Sequence, residues 1–204
     1  MDYATDFHFV FGKGTSLARP LLLLHGTGGN EHDLLGLAEA VAPGRTVLSP
    51  RGKVLENGMP RFFRRFAEGR FDEDDIRLRC SELAAFIKGA VAHYGIAAPM
   101  ALGFSNGANI AAALLVLHPD VLGGAVLLRA KAPFAAMPAF SVPQTPVLLL
   151  SGQQDPMIPL TGANRLAGDL RKAGAELTHE ILPAGHGLTQ DDLTLTARFL
   201  AAQE

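Results

Sequence analysis

Apolar residues fall along this chain in two rhythms, and the two rhythms take turns. Four segments are apolar throughout and only strand-length: RPLLLLHG, MALGFS, GGAVLLRA and TPVLLLSG. Unbroken apolar character suits strands covered on both faces of a sheet, where the in–out alternation of a half-exposed strand is lost. RTVLSPRG, closed by Pro50 and Gly52, and AELTHEILP read as two further strands, and an N-terminal stretch around His8 is strand-like. Between them, EHDLLGLAEAVA, NGANIAAALLVLH, TGANRLAGDLRKAG and LTQDDLTLTARFLAAQ carry apolar residues at three- and four-residue steps, as helices do. The longest such run sets Ile76, Cys80, Leu83, Phe86, Ile87 and Ala90 on one stripe, with Asp72 to Asp75 suited to a helix start. Strands alternating with helices predict an α/β fold, a mostly parallel twisted sheet flanked by helices. LENGMPRFFRRFAEGRFDEDD follows neither rhythm and receives no element. No repeat, low-complexity tract or linker divides the chain, so one domain over residues 1–204 is expected.

Composition narrows the classes. With 48% hydrophobic and 19% charged residues among 204, the chain is globular rather than disordered. A formal charge of -2 gives no electrostatic case for nucleic acid. Arg61, Arg64, Arg65 and Arg70 precede Asp72, Glu73, Asp74 and Asp75, which points to local pairing or a solvated face rather than an anion patch. Cys80 is the sole cysteine, so no internal disulfide can form. The apolar runs are too short to span a bilayer, and the first residues show no signal-peptide core. The expectation is a cytoplasmic protein without stable membrane association; a homodimer stays open.

One motif changes the picture. ALGFSNGANIAAALL puts Ser105 between Gly103 and Gly107, after a strand-like run and before a helix-like one. That is the G-x-S-x-G nucleophile elbow of α/β-hydrolases in the context it requires. With 22 glycines and 6 serines in 204 residues, chance yields roughly 0.07 such motifs. Serine is a poor nucleophile unless a base takes its proton. Among the histidines, His8 and His179 sit in strand-like stretches, His32 and His93 in predicted helices, and His118 at a helix end. His186 alone lies between the last strand and the last helix, at the carboxyl edge of the sheet where sites of open α/β folds gather. In this fold the orienting acid falls between serine and histidine in chain order, and Asp155, at the tip of SGQQDPMIP, fits; an Asp-Pro turn is its bland alternative. An oxyanion needs preorganised donors. The backbone N–H of Asn106 is one candidate; that of Thr27, in the glycine loop LLLLHGTGGNEHDLL, is the other. No H-E-x-x-H, cysteine–histidine set, G-K-[ST] ending or G-x-G-x-x-G after a strand occurs, so neither metal nor nucleotide cofactor is indicated.

Five blocks in order, LLLLHGTGGNEHDLL, MPRFFRRFAEGRFDEDDI, GFSNGANIA, SGQQDPMIP and AGHGL, resemble the small carboxylesterase/phospholipase group of α/β-hydrolases. Within it the chain is most similar to bacterial cytoplasmic esterases described as hydroquinone-specific or dienelactone-hydrolase-like. The resemblance spans nearly the whole chain. It implies Ser105 as nucleophile, Asp155 as acid, His186 as base and the Thr27 and Asn106 amides as oxyanion donors. Dienelactone hydrolases proper carry a cysteine nucleophile, and this chain departs from them with a serine. It also lacks an insertion large enough for a cap domain, which implies an open pocket for short to medium acyl esters. Phe62, Phe63, Met157 and Leu188 are candidate walls, with plain core as the alternative for each. The expected function is serine carboxylesterase, with lysophospholipase, acyl-thioesterase and a non-catalytic binding protein as rivals.

Overall fold

The structure, a computed structural model, describes residues 3–203. In chain order its elements are β1 (Phe9–Gly12), β2 (Leu21–Leu24), α1 (Leu35–Val41), β3 (Val47–Pro50), β4 (Val54–Glu56), β5 (Met59–Arg61), β6 (Arg65–Ala67), β7 (Arg70–Phe71) and α2 (Glu73–Tyr94). They continue with β8 (Met100–Phe104), α3 (Asn106–Leu117), β9 (Gly124–Leu128), β10 (Pro146–Gly152), α4 (Leu160–Lys172), β11 (Glu176–Leu182) and α5 (Gln190–Ala201). Seven strands make one sheet in the order β1-β3-β2-β8-β9-β10-β11. Every pairing is parallel except that of the edge strand β1 with β3. This is the mostly parallel α/β sheet that the alternation of rhythms predicts.

The uniform apolar strands divide their side chains between two cores. Leu22 and Leu24 of β2 pack with α2, α3 and α4, whereas Leu21 and Leu23 pack on the other face with α1 and α5. All four are fully excluded from solvent, each contributing roughly 1.5–3 kcal/mol. The edge strand β11 instead alternates half-buried and exposed residues over most of its length, as one covered face demands. At the start of α2, Asp72 accepts from the Asp75 N–H at 3.1 Å, and Gly95 ends the helix in the left-handed region at φ 63°.

Two local expectations need correction. His32 lies in a turn before α1 rather than in a helix, because the Asn30 side chain accepts its N–H at 2.8 Å and Arg51 grips neighbouring Glu31. Residues 54–71 form two small hairpins, β4–β5 and β6–β7. The Asn57–Gly58 pair, with φ of 52° and 80°, turns the first one, a two-residue turn signal that the three-residue strands around it are too short to reinforce. Among the described residues no helix is long and apolar enough to cross a membrane.

Candidate active site

Every proposed reacting group sits past the carboxyl end of a parallel strand. Thr27 follows β2, Ser105 follows β8, Asp155 follows β10 and His186 follows β11. The turn at Ser105 is strained, with φ 53° and ψ −111°. Its glycine neighbours are steric necessities. A Cβ on Gly103 would come within 2.7 Å of the Gly107 carbonyl oxygen, and one on Gly107 would run into the Leu24 carbonyl. The bend therefore sets β8 against the start of α3 with no room for a side chain on either side of the serine.

The three side chains form one hydrogen-bonded chain. Asp155 Oδ2 lies 2.8 Å from His186 Nδ1, and His186 Nε2 lies 2.9 Å from Ser105 Oγ. The other carboxylate oxygen, Oδ1, accepts from the Met157 and Ile158 N–H groups at 2.8 and 3.0 Å, which fixes its orientation. The Asp155 side chain is sealed from solvent while that of His186 remains 19% exposed, so the imidazole can face a ligand. Backbone bonds tie the acid's loop to the base's strand and loop: Gln153 N–H donates to Leu182 O at 2.8 Å and Gln154 N–H to Ala184 O at 2.9 Å.

The glycine loop after β2 is anchored from below. His25 is buried, with Nδ1 2.6 Å from Gly26 O and Nε2 2.9 Å from the Gly52 nitrogen. Since Gly52 N–H can only donate, Nε2 accepts and Nδ1–H donates, and burial pushes the His25 pKa down, favouring this neutral form. Glu31, gripped by Arg51 Nε and Nη2 at 2.5 and 2.7 Å, ties the same loop to the end of β3. Gly28 N–H is taken by Pro60 O and Gly29 N–H by Gly26 O. Among the described residues the Thr27 and Asn106 amides have no protein acceptor, and both residues line the cleft that contains Ser105. Asn106 is the first residue of α3, so its N–H is one of the donors a helix start leaves unpaired.

Of the candidate walls, Met157 lines this cleft and the other three do not. Phe62 and Phe63 are sealed in the core, 3% and 0% exposed, where large rings gain most from burial; Phe63 meets Phe71 edge-on at 5.0 Å. Leu188 packs on the α1–α5 side of the sheet. Phe71 and Ile158 stand with Met157 as the apolar lining, alongside Arg61, Arg65 and Lys131.

Arg129 was overlooked in the sequence. It is 0% exposed, follows β9 with φ 59°, and lies directly behind the His186 loop. Its Nε donates to Gly185 O at 2.9 Å and its Nη2 to Gly187 O at 3.0 Å, the two residues flanking His186. The same guanidinium meets both oxygens of Asp192, at 2.7 and 2.8 Å, and reaches Leu150 O at 3.4 Å. All five donors are thereby satisfied. An arginine closing an apolar strand was the available signal, since a charge there needs a buried partner.

A profile of the family described as phospholipase/carboxylesterase matches residues 6–203. The putative hydrolase MhqD of Bacillus subtilis (strain 168) is 44% identical over 185 residues, covering 90% of this chain and 92% of that protein. A Bacillus cereus carboxylesterase structure is similar with a TM-score of 0.92 and 43% identity, over 96% of this chain and 93% of that one. A Mesorhizobium loti carboxylesterase gives a TM-score of 0.85 and 31% identity, over 90% and 88% of the two chains.

Proposed function

This chain belongs to the phospholipase/carboxylesterase family and is a hydrolase of that kind, and from that premise we propose that it is a serine carboxylesterase for short to medium acyl esters. The observation that carries this reading is the Asp155–His186–Ser105 chain, with links of 2.8 and 2.9 Å. His186 Nε2 takes the proton of Ser105 Oγ as that oxygen attacks the ester carbonyl, while Asp155 holds the imidazole by Nδ1 and stabilises its protonated form. The tetrahedral oxyanion is received by the Thr27 and Asn106 N–H groups, donors aimed in advance at developing charge. Collapse expels the alcohol, which leaves with the proton from His186, and an acyl-Ser105 remains. Water, deprotonated by His186, then attacks the acyl carbon, releases the carboxylic acid and restores the serine.

The preference for shorter acyl groups rests on the small hairpins over the site, which add only Phe71 to the apolar lining. The test is a panel of p-nitrophenyl esters from acetate to palmitate, with a lysophospholipid and a matched thioester beside them. Turnover greatest on the shorter oxygen esters is expected. Turnover confined to the lysophospholipid or to the thioester would replace the reading with one of its rivals.

A further inference from the structure

The cleft beside Ser105 is lined by three cations and one carboxylate, Glu68, and two of the cations are already paired. Arg61 lies 2.7 Å from Glu56, and Arg65 lies 3.0 Å from Glu56 and 3.9 Å from Glu68. Lys131 is different. Among the described residues no carboxylate comes within ion-pairing distance of it. Its Nζ donates to Gly69 O at 2.5 Å and lies 4.3 Å from the centroid of the Phe71 ring. An ammonium carries three N–H donors, so two are left over in a half-buried place. Withdrawing a charge from water without a counter-ion is costly, and burial pushes the Lys131 pKa down accordingly.

The neighbouring Asn106 side chain is committed to the interior: its Oδ1 accepts from the Phe62 N–H at 2.7 Å, and its Nδ2 is sealed from solvent. Lys131 itself is held in place by its own N–H, which donates to Asn109 Oδ1 at 2.9 Å. A cation fixed in the same cleft as the nucleophile thus lacks an anionic acceptor.

We propose that Lys131 forms an anion subsite in the Ser105 cleft, and that the preferred substrates are esters bearing a carboxylate. This rests on the serine esterase reading and adds a substrate class to it. The carboxylate belongs either to the acyl half, as in a dicarboxylic acid monoester, or to the leaving alcohol. Both sources present the same group to Lys131.

The test compares kcat/KM for matched pairs at pH 7.5. Mono-p-nitrophenyl adipate against p-nitrophenyl hexanoate probes the acyl side, and 4-carboxyphenyl hexanoate against phenyl hexanoate probes the alcohol side. In the wild type one charged ester is favoured over its neutral partner, and Lys131→Met lowers that ratio about 10-fold, the scale of one charge-assisted hydrogen bond. Lys131→Arg retains most of the ratio. Should Lys131→Met fail to fold, the wild-type ratios decide. Neutral-ester turnover with neither charged ester favoured, or a ratio that Lys131→Met leaves unchanged, overturns the subsite and leaves the esterase reading standing. Absence of turnover on all four esters overturns both.

Discussion

The Ser105 turn and the His186 loop meet across 2.9 Å, yet opposite means hold them. The serine is fixed by close backbone packing, in which Gly103 and Gly107 are the only residues that fit. The histidine also stands between two glycines, but those are not required for space. A Cβ on Gly187 would meet nothing within 4 Å, and one on Gly185 only Gln154 O at 3.9 Å. What fixes the histidine is the buried Arg129, whose guanidinium binds the carbonyls on both sides of it and anchors them to Asp192. Identical flanking residues thus conceal two different constraints, one steric and local, the other ionic and distant in sequence.

The largest expected effect falls on the group that holds the histidine towards the serine. Asp155→Asn should cut kcat by about 10⁴-fold on a p-nitrophenyl ester, because the wrong imidazole tautomer then faces Ser105, with the circular dichroism spectrum unchanged. A drop below tenfold would remove Asp155 from the proposed role. Next comes the ionic constraint. Arg129→Met leaves Asp192, only 1% exposed, with no counter-charge and only the Thr189 N–H and hydroxyl as donors, and should lower the urea-derived stability by about 3–5 kcal/mol. The double variant Arg129→Met/Asp192→Leu should recover part of that stability, less the cap that Asp192 gives Thr189 at the start of α5, while kcat stays depressed, which separates holding the fold from holding the histidine.

The steric constraint is broken by a pair of substitutions with opposite outcomes. Gly107→Ala should cost roughly 1–3 kcal/mol and most of the activity, since the methyl meets the Leu24 carbonyl. Gly187→Ala should remain within about 0.5 kcal/mol of the parent. Equal effects would erase the distinction between the two loops.

The smallest effect concerns a third tether, the Glu31–Arg51 pair under the glycine loop. Its arginine is 39% exposed, so it is a weaker relative of Arg129–Asp192. The hydrogen bonds from Arg51 lower the Glu31 pKa to about 2, below the roughly 4.3 of an unfolded chain. Its contribution is therefore complete above pH ~4.3 and disappears as the pH falls towards 2. In acid titrations of Tm, Glu31→Gln should flatten that limb and leave its low-pH end nearly unchanged.

The same contrast explains what the sequence made legible. Steric constraint is written locally: G-x-S-x-G, the uniformly apolar strands and the loop positions of Asp155 and His186 all appear within a few residues. Arg129 and Asp192 are 63 residues apart, and nothing in GGAVLLRA or TQDDL names the other. Phe62 and Phe63 failed as pocket walls for a related reason. Their neighbours Arg61, Arg64 and Arg65 break any apolar rhythm, and the link between two short hairpins turns inward or outward according to partners elsewhere. Lys131 likewise stands out only in the folded cleft, where Arg61 and Arg65 pair with Glu56 and Lys131 has no carboxylate.

The central claim is that Ser105 is the nucleophile. The most direct measurement is intact-protein mass spectrometry with peptide mapping after exposure to a fluorophosphonate. One adduct is expected, located on Ser105, absent from Ser105→Ala and strongly slowed in a His186→Ala variant. No adduct on the native protein, or an adduct that persists in Ser105→Ala, would contradict it.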